Sequence, residues 1–190
     1  MPIICGLRNP GARYEGTRHN VGAEVVKALV RRHGASLRRG PLRVRAEVAR
    51  VTSSDLTLSI PLTFMNESGR AVRSLLSYYK LDASSLLVVH DDIDLDFGRL
   101  RVQIGGGSGG NKGIRSIESH LGHRDFARLK IGVGRPPGAR EAADHVLRSF
   151  TKAERAEADL LVEDAADVAE RWLVDPARAQ EMAAHRKISP

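Results

Sequence analysis

Short apolar runs alternate along the chain with longer segments whose apolar residues recur every three or four positions. Residues 2–6 form the first run and end in Gly6-Leu7-Arg8-Asn9-Pro10-Gly11, a turn sequence. Over 20–33, Val21, Val25, Ala28 and Leu29 share a helical stripe, and Gly34 stops the helix. Over 43–51, Val44, Ala46, Val48 and Ala49 stand against Arg43, Arg45 and Glu47, which predicts a strand with one dry and one basic face. Asp55 turns the chain into a second strand, 56–62. Residues 66–80 read as a helix with Ala71, Leu75 and Leu76 inward. Residues 84–90 carry Leu-Leu-Val-Val without interruption, as a strand covered on both faces does. A strand at 99–104, a glycine loop at 105–113, a short helix at 114–121 and a strand at 126–133 come next, closed by the break Gly134-Arg135-Pro136-Pro137-Gly138. Alanine-rich amphipathic segments at 141–148, 152–174 and 176–185 complete the chain. Strands alternating with helices predict one α/β layered domain over 1–190, with the strand pair at 43–62 making its sheet mixed.

Composition narrows the class. Of 190 residues, 42% are hydrophobic and 28% charged, which are globular values rather than those of a disordered chain. No window approaches the roughly 20 apolar residues of a membrane span, and the start lacks the basic and apolar regions of a secretory signal. A lone cysteine, Cys5, excludes an internal disulfide framework and a multi-cysteine zinc site, so a reducing, cytoplasmic setting is expected. The 30 basic residues exceed the 23 acidic ones by +7, and the excess is sorted along the chain. Residues 27–50 hold eight basic side chains and one acid, Glu47, and residues 97–148 hold ten against four. Residues 151–175 reverse the balance with three against eight. Such sorting suggests a polyanionic partner on one side, with the acidic 152–174 segment keeping RNA off its own face.

Ligands of open α/β sheets sit beyond the carboxyl ends of the strands. Applied strand by strand, that rule brings Asn9, His19, Asn66, Asp91 and Asn111 or Lys112 to one rim. An imidazole can take a proton from water, a carboxylate can hold its tautomer, and amides can donate to a developing oxyanion, all without metal or cofactor. Each residue also has a plainer reading. His19 can open a helix at the surface, Asn9 can serve a turn, Asn66 can cap a helix, and Asp91 can belong to a cation site. The run Asp92-x-Asp94-x-Asp96 does not make a calcium loop, because glycine comes one position late, at Gly98, and Gln103 stands where the closing Glu belongs. The glycine loop contains a formal GxGxxG but no evident acid on the next strand end. Lys112, between Asn111 and Gly113, fails the Walker pattern. That loop can still bring backbone N–H groups and a helix start close to a phosphate. With Phe 4, Tyr 3 and Trp 1 and no strand carrying an exposed pair, a base-stacking sheet is disfavoured, although Tyr14, the aromatic nearest His19, can stack on a base.

Five segments, in order, are more specific. Gly6-Leu7-Arg8-Asn9-Pro10-Gly11 with Tyr14 and Thr17-Arg18-His19-Asn20-Val21-Gly22 resembles the opening of the bacterial-type peptidyl-tRNA hydrolase family. Pro61 to Gly69, Val89 to Leu95, Gly105 to Gly113 and Arg128 to Pro136 resemble its later motifs, so the resemblance covers roughly the whole chain. It implies a monomeric three-layer α/β/α sandwich around a mixed, twisted sheet. The implied activity is hydrolysis of the ester between a peptide and the 3′ ribose of tRNA, without metal or other cofactor. The resemblance assigns His19 as the base that activates water and Asp91 as its orienting partner. Asn9 and Asn66 position the ester, and Tyr14 and Met65 line the pocket. Arg101, Lys112, Lys130 and Arg135 are the matching candidates for holding the acceptor stem. The chain departs from the family where a small residue usually precedes Asn9 and Arg8 stands here. It departs again where His-Asn-Gly usually closes the glycine loop and Asn111-Lys112-Gly113 stands here. Asn111 is expected to replace the missing amide in part, with Lys112 facing phosphate. The alternative is an RNA-binding relative of the same fold with weak or no hydrolase activity.

Overall fold

The computed structural model describes residues 1–136, 138 and 141–187, so Pro137 of the expected break lies outside the described residues. Among these, seven strands form one sheet: β1 (Ile3–Gly6), β2 (Arg38–Arg39), β3 (Ala46–Val51), β4 (Leu56–Pro61), β5 (Leu86–Asp92), β6 (Leu100–Ile104) and β7 (Ala127–Gly132). Their order is β2-β3-β4-β1-β5-β7-β6. The central strands β4, β1, β5 and β7 are parallel. β3 runs antiparallel to β4 and β6 antiparallel to β7, so both edges, not only the 43–62 pair, make the sheet mixed.

Among the described residues, six α-helices complete the fold: α1 (Val21–Arg32), α2 (Ser68–Tyr79), α3 (Lys112–Leu121), α4 (Ala142–Val146), α5 (Lys152–Val174) and α6 (Pro176–Ala184). Side chains alternate across a strand, and both faces of the central strands are apolar. Ile4, Leu87 and Val89 pack with Val25 and Leu29 of α1 and Leu161 and Ala165 of α5. Ile3, Cys5, Leu86 and Val88 pack with Val72 and Leu75 of α2 and Ile114 and Ile117 of α3. Helices on both faces give the three-layer α/β/α sandwich. Two glycines set how α1 meets the sheet. A Cβ on Gly22 would stand 2.2 Å from the Val89 carbonyl oxygen, and one on Gly6 would stand 2.2 Å from that of Gly22. The start of α1 therefore lies directly on β1 and β5, and the turn just before it hangs over the end of β5.

The differences from the sequence expectations have physical causes. β5 runs to Asp92, two residues beyond the expected strand, because the polar His90, Asp91 and Asp92 find partners inside the protein. β3 starts at Ala46 rather than 43, because the Pro41–Val44 turn closes on itself and Arg43 takes a left-handed φ of 76°. β2 is two arginines, which carry no hydrophobic signal. α2 starts at Ser68, after a 3-10 turn at Met65–Glu67, and ends where Lys80 turns left-handed at φ 54°. α3 starts two residues earlier than expected because Asn111 caps it.

Candidate active site

His19 lies in the 3-10 turn Arg18–Asn20 that leads into α1. The turn is fastened from behind. The buried Arg18 guanidinium donates to the carbonyls of Arg148 and Ser149 at 3.2 and 2.8 Å and to the Glu154 carboxylate at 2.6 Å. In front, His19 Nδ1 lies 2.8 and 2.9 Å from the two carboxylate oxygens of Asp91 on β5. A carboxylate only accepts, so Nδ1 carries the proton and Nε2 is left as a base. Burial pulls the His19 pKa down and the Lys112 cation pulls it further. The charge of Asp91 and the bond to it outweigh both, so the pKa stands above the usual 6.5.

Asp91 is held on three sides. Asn111 Nδ2 donates to its Oδ1 at 3.0 Å and to its carbonyl at 3.2 Å. His90 Nδ1 donates to the same carbonyl at 2.7 Å. Burial pushes the His90 pKa down to about 4 against the pull of Asp91 and Asp92, so this ring stays neutral under the strand end. The other end of the Asn111 amide caps α3, its Oδ1 accepting from the N–H groups of Gly113 and Ile114 at 2.9 and 3.1 Å. One side chain thus joins the helix start to the carboxylate.

Asn9 is fixed as firmly. Its backbone exchanges two hydrogen bonds with the Asn20 side chain, at 2.8 and 2.9 Å. Its Oδ1 accepts from the Met65 N–H at 2.8 Å. With Oδ1 occupied, the Asn9 amide keeps its NH₂ as a donor, the group an oxyanion needs. Asn66 is exposed and caps no helix with its side chain, so its amide is also available.

These groups share a cleft of about 500 Å³ lined by Asn9, His19, Met65, Asn66, Asp91, Asn111 and Lys112. The glycine loop adds Ser108 to Gly110 to the lining, and α4 with Leu147 adds an apolar wall. Arg128 on β7, fully buried, holds the loop by donating to the Gly106 and Gly107 carbonyls at 2.9 and 2.8 Å and pairing with Glu118 at 2.9 Å.

The remaining sequence candidates lie elsewhere. Tyr14 is not in the cleft wall. It packs edge-on against Phe64, which is, at 6.3 Å between ring centroids. Arg101 is exposed on the edge strand β6, in register with Lys130. Lys130 pairs with Asp92 at 3.0 Å, and Arg135 pairs with Asp94, so neither is a free cation. The same pairs show where two carboxylates of the aspartate run are used. Arg8 donates to the Pro61 carbonyl and to Glu47, at 3.2 and 3.1 Å, so it ties the end of β1 to β4 and β3. The acidic α5 takes Arg31 and Arg32 of α1 through Glu163 and Asp167, and Arg155 reaches back to Glu24. Sequence reasoning missed Asn20, Arg18 and the α4 wall. Asn20 and Arg18 read as the flanks of a helix start, and nothing in their spacing predicts partners so far along the chain.

A family model described as peptidyl-tRNA hydrolase matches residues 3–190. A peptidyl-tRNA hydrolase of Frankia casuarinae is 47% identical over 175 residues, 91% of this chain and 88% of that protein. One of Mycobacterium tuberculosis is 47% identical over 170 residues, 88% of each. The crystal structure of peptidyl-tRNA hydrolase from Acinetobacter baumannii superposes with a TM-score of 0.91 at 30% identity, covering 100% of this chain and 97% of that one.

Proposed function

Because this chain belongs to the peptidyl-tRNA hydrolase family, we propose that its own hydrolysis of peptidyl-tRNA, which recycles tRNA, runs on water activated by His19. The observation that carries this reading is the buried His19–Asp91 pair at 2.8 Å at the floor of the cleft. His19 Nε2 takes a proton as the water oxygen attacks the ester carbonyl. The carbonyl oxygen becomes an oxyanion, and the Asn9 and Asn66 amides donate to it. Asp91 steadies the imidazolium. As the carbon–oxygen bond to the 3′ ribose breaks, the imidazolium returns its proton to the leaving oxygen, and the peptide leaves as a carboxylic acid. Asn111 keeps Asp91 aimed at Nδ1. Met65 and Phe64, the latter backed by Tyr14, hold the acyl group.

The RNA side of the reading rests on charge. Lys112, on the cleft, and Arg101, on β6, have no acidic partner among the described residues. They carry the phosphate contacts of the acceptor stem and 3′ end. Lys130 and Arg135 sit in pairs of zero net charge with Asp92 and Asp94, so their share is smaller. In the same reading the chain acts in the cytoplasm as a monomeric single domain without cofactor. Among the described residues, no helix is long and apolar enough to cross a membrane.

The test is release of N-acyl-aminoacid from charged tRNA by wild type and His19→Ala. A positioned general base contributes roughly 10²–10⁴-fold, so the variant loses at least about 100-fold in kcat with little change in tRNA affinity. In heavy-oxygen water a single turnover places the label in the peptide carboxylate. A trapped acyl-enzyme, or a fully active His19→Ala, removes the mechanism.

A further inference from the structure

The basic excess of the first half divides once the chain is folded. Arg31 and Arg32 are held by Glu163, Asp167 and Glu170 of α5. Arg38, Arg39, Arg43 and Arg45 are all exposed, and among the described residues none of them meets a carboxylate. Glu47, the acid nearest them in sequence, is already bound by Arg8 at 3.1 Å. The segment that presents the four arginines is β2 with the ordered turn that joins it to β3, called the 38–45 loop below. Gly40 N–H donates to the Ala46 carbonyl at 2.8 Å, Val44 N–H to that of Pro41 at 2.9 Å, and Leu62 N–H to that of Arg45 at 2.9 Å. Val44 is buried beneath it. Arg43 is held at φ 76°, a region that side-chain-bearing residues rarely adopt.

The loop stands on the same rim as the cleft. The antiparallel register sets Ala46 beside Pro61, at the carboxyl end of β4. Four residues beyond Pro61 the chain reaches Met65, whose N–H is fixed by Asn9. A recess lies between loop and rim, lined by Arg39, Arg43, Arg45, Leu62 and Thr63. The Thr63 hydroxyl in its wall is buried without a hydrogen-bond partner. Four unpaired cations on one short loop repel one another in the free protein, and a polyanion relieves that repulsion.

We propose that the 38–45 loop is a second phosphate-binding surface, which grips the backbone of the tRNA body while the 3′ end occupies the cleft. The proposal rests on the peptidyl-tRNA reading of that cleft. A lipid surface fits less well, because Leu42 is the one exposed large apolar side chain of the loop. Leaving the active site untouched, the loop acts on KM and not on kcat.

The test replaces the four residues by Arg38→Gln, Arg39→Gln, Arg43→Gln and Arg45→Gln, with Arg43→Gln and Arg45→Gln also made singly in case the fourfold variant folds poorly. Two substrates are compared, an N-acyl-aminoacyl-tRNA and the same ester on a short 3′ CCA fragment. Each phosphate contact contributes roughly 0.7–0.9 to the slope of log affinity against log salt. The fourfold variant is expected to raise KM for the whole tRNA about tenfold or more and flatten its salt slope by about 3–4, each single variant by about 0.7–0.9. The kcat, and all kinetics on the fragment, stay as in wild type. An equal loss on both substrates overturns the proposal by moving the effect into the cleft. An unchanged KM and slope on whole tRNA overturn it as well, and loop-dependent binding to vesicles of anionic phospholipid would then name the other partner. If wild type cleaves neither ester, the hydrolase reading fails separately, and the salt slope for binding deacylated tRNA still decides the loop.

Discussion

Replacing Asn111 separates two jobs done by one side chain. In Asn111→Ala, α3 loses the cap that holds the Gly113 and Ile114 N–H groups, and Asp91 loses the donor at 3.0 Å. An N-cap is worth about 1 kcal/mol, and stripping a partner from a buried polar group costs about 1–3 kcal/mol. Together these come to about 3 kcal/mol, which for a chain of this size lowers Tm by roughly 6–12 °C. Asn111→Ser restores an oxygen at the cap position but is too short to reach Asp91. It therefore recovers about 1 kcal/mol, or roughly 2–4 °C, and recovers no activity. A hydrogen bond to a charged group is worth about 1.5–3 kcal/mol. If Asp91 is mis-aimed by that amount in the transition state, kcat falls roughly 10–100-fold in both variants. Thermal unfolding and single-turnover release from N-acyl-aminoacyl-tRNA measure the two effects independently. Wild-type kcat in Asn111→Ser would falsify the positioning role and reduce Asn111 to a helix cap.

Three more predictions concern the base and its placement. A His19 pKa above 6.5 means that Nε2 is free only above that pKa, so kcat/KM rises as pH rises through it and falls about tenfold per unit below it. Lys112→Gln removes the cation that lowers this pKa, so the acid limb moves to higher pH; a limb that stays in place shows Lys112 to be uncoupled from the base. Gly22→Ala puts a Cβ 2.2 Å from the Val89 carbonyl oxygen, and overpacking of this kind costs typically about 1–3 kcal/mol. The start of α1 must then lift, so kcat falls along with Tm, and an intact kcat would show that His19 is not placed by this contact.

The α/β class, most elements and the identities of His19, Asp91, Asn9 and Asn111 as rim residues are legible in the chain itself. Alternation and helical periodicity record which face of an element meets the core. Turn sequences such as Asn9-Pro10-Gly11 mark where strands end. Periodicity has no such hold on polar residues with distant partners. The sequence reading therefore ends β5 at 90, before Asp91 and Asp92, although both lie inside the sheet. It treats Lys130 and Arg135 as free cations, although register sets Lys130 beside His90 of β5 and so within reach of Asp92. It also leaves the acidic 152–174 segment as a shield, although α5 binds Arg31 and Arg32 through Glu163 and Asp167 and Arg186 through Glu157 and Asp164, and its own Arg155 pairs with Glu24 of α1.

Local sequence therefore determined the elements and the chemical types at their ends, because backbone propensity and one-sided burial act over a few residues. Tertiary structure alone decided which charges are cancelled and which remain. Ion pairing depends on separations of a few ångströms between residues far apart in the chain, and His19 meets Asp91 across 72 positions only because Gly6 and Gly22 let α1 rest directly on the sheet.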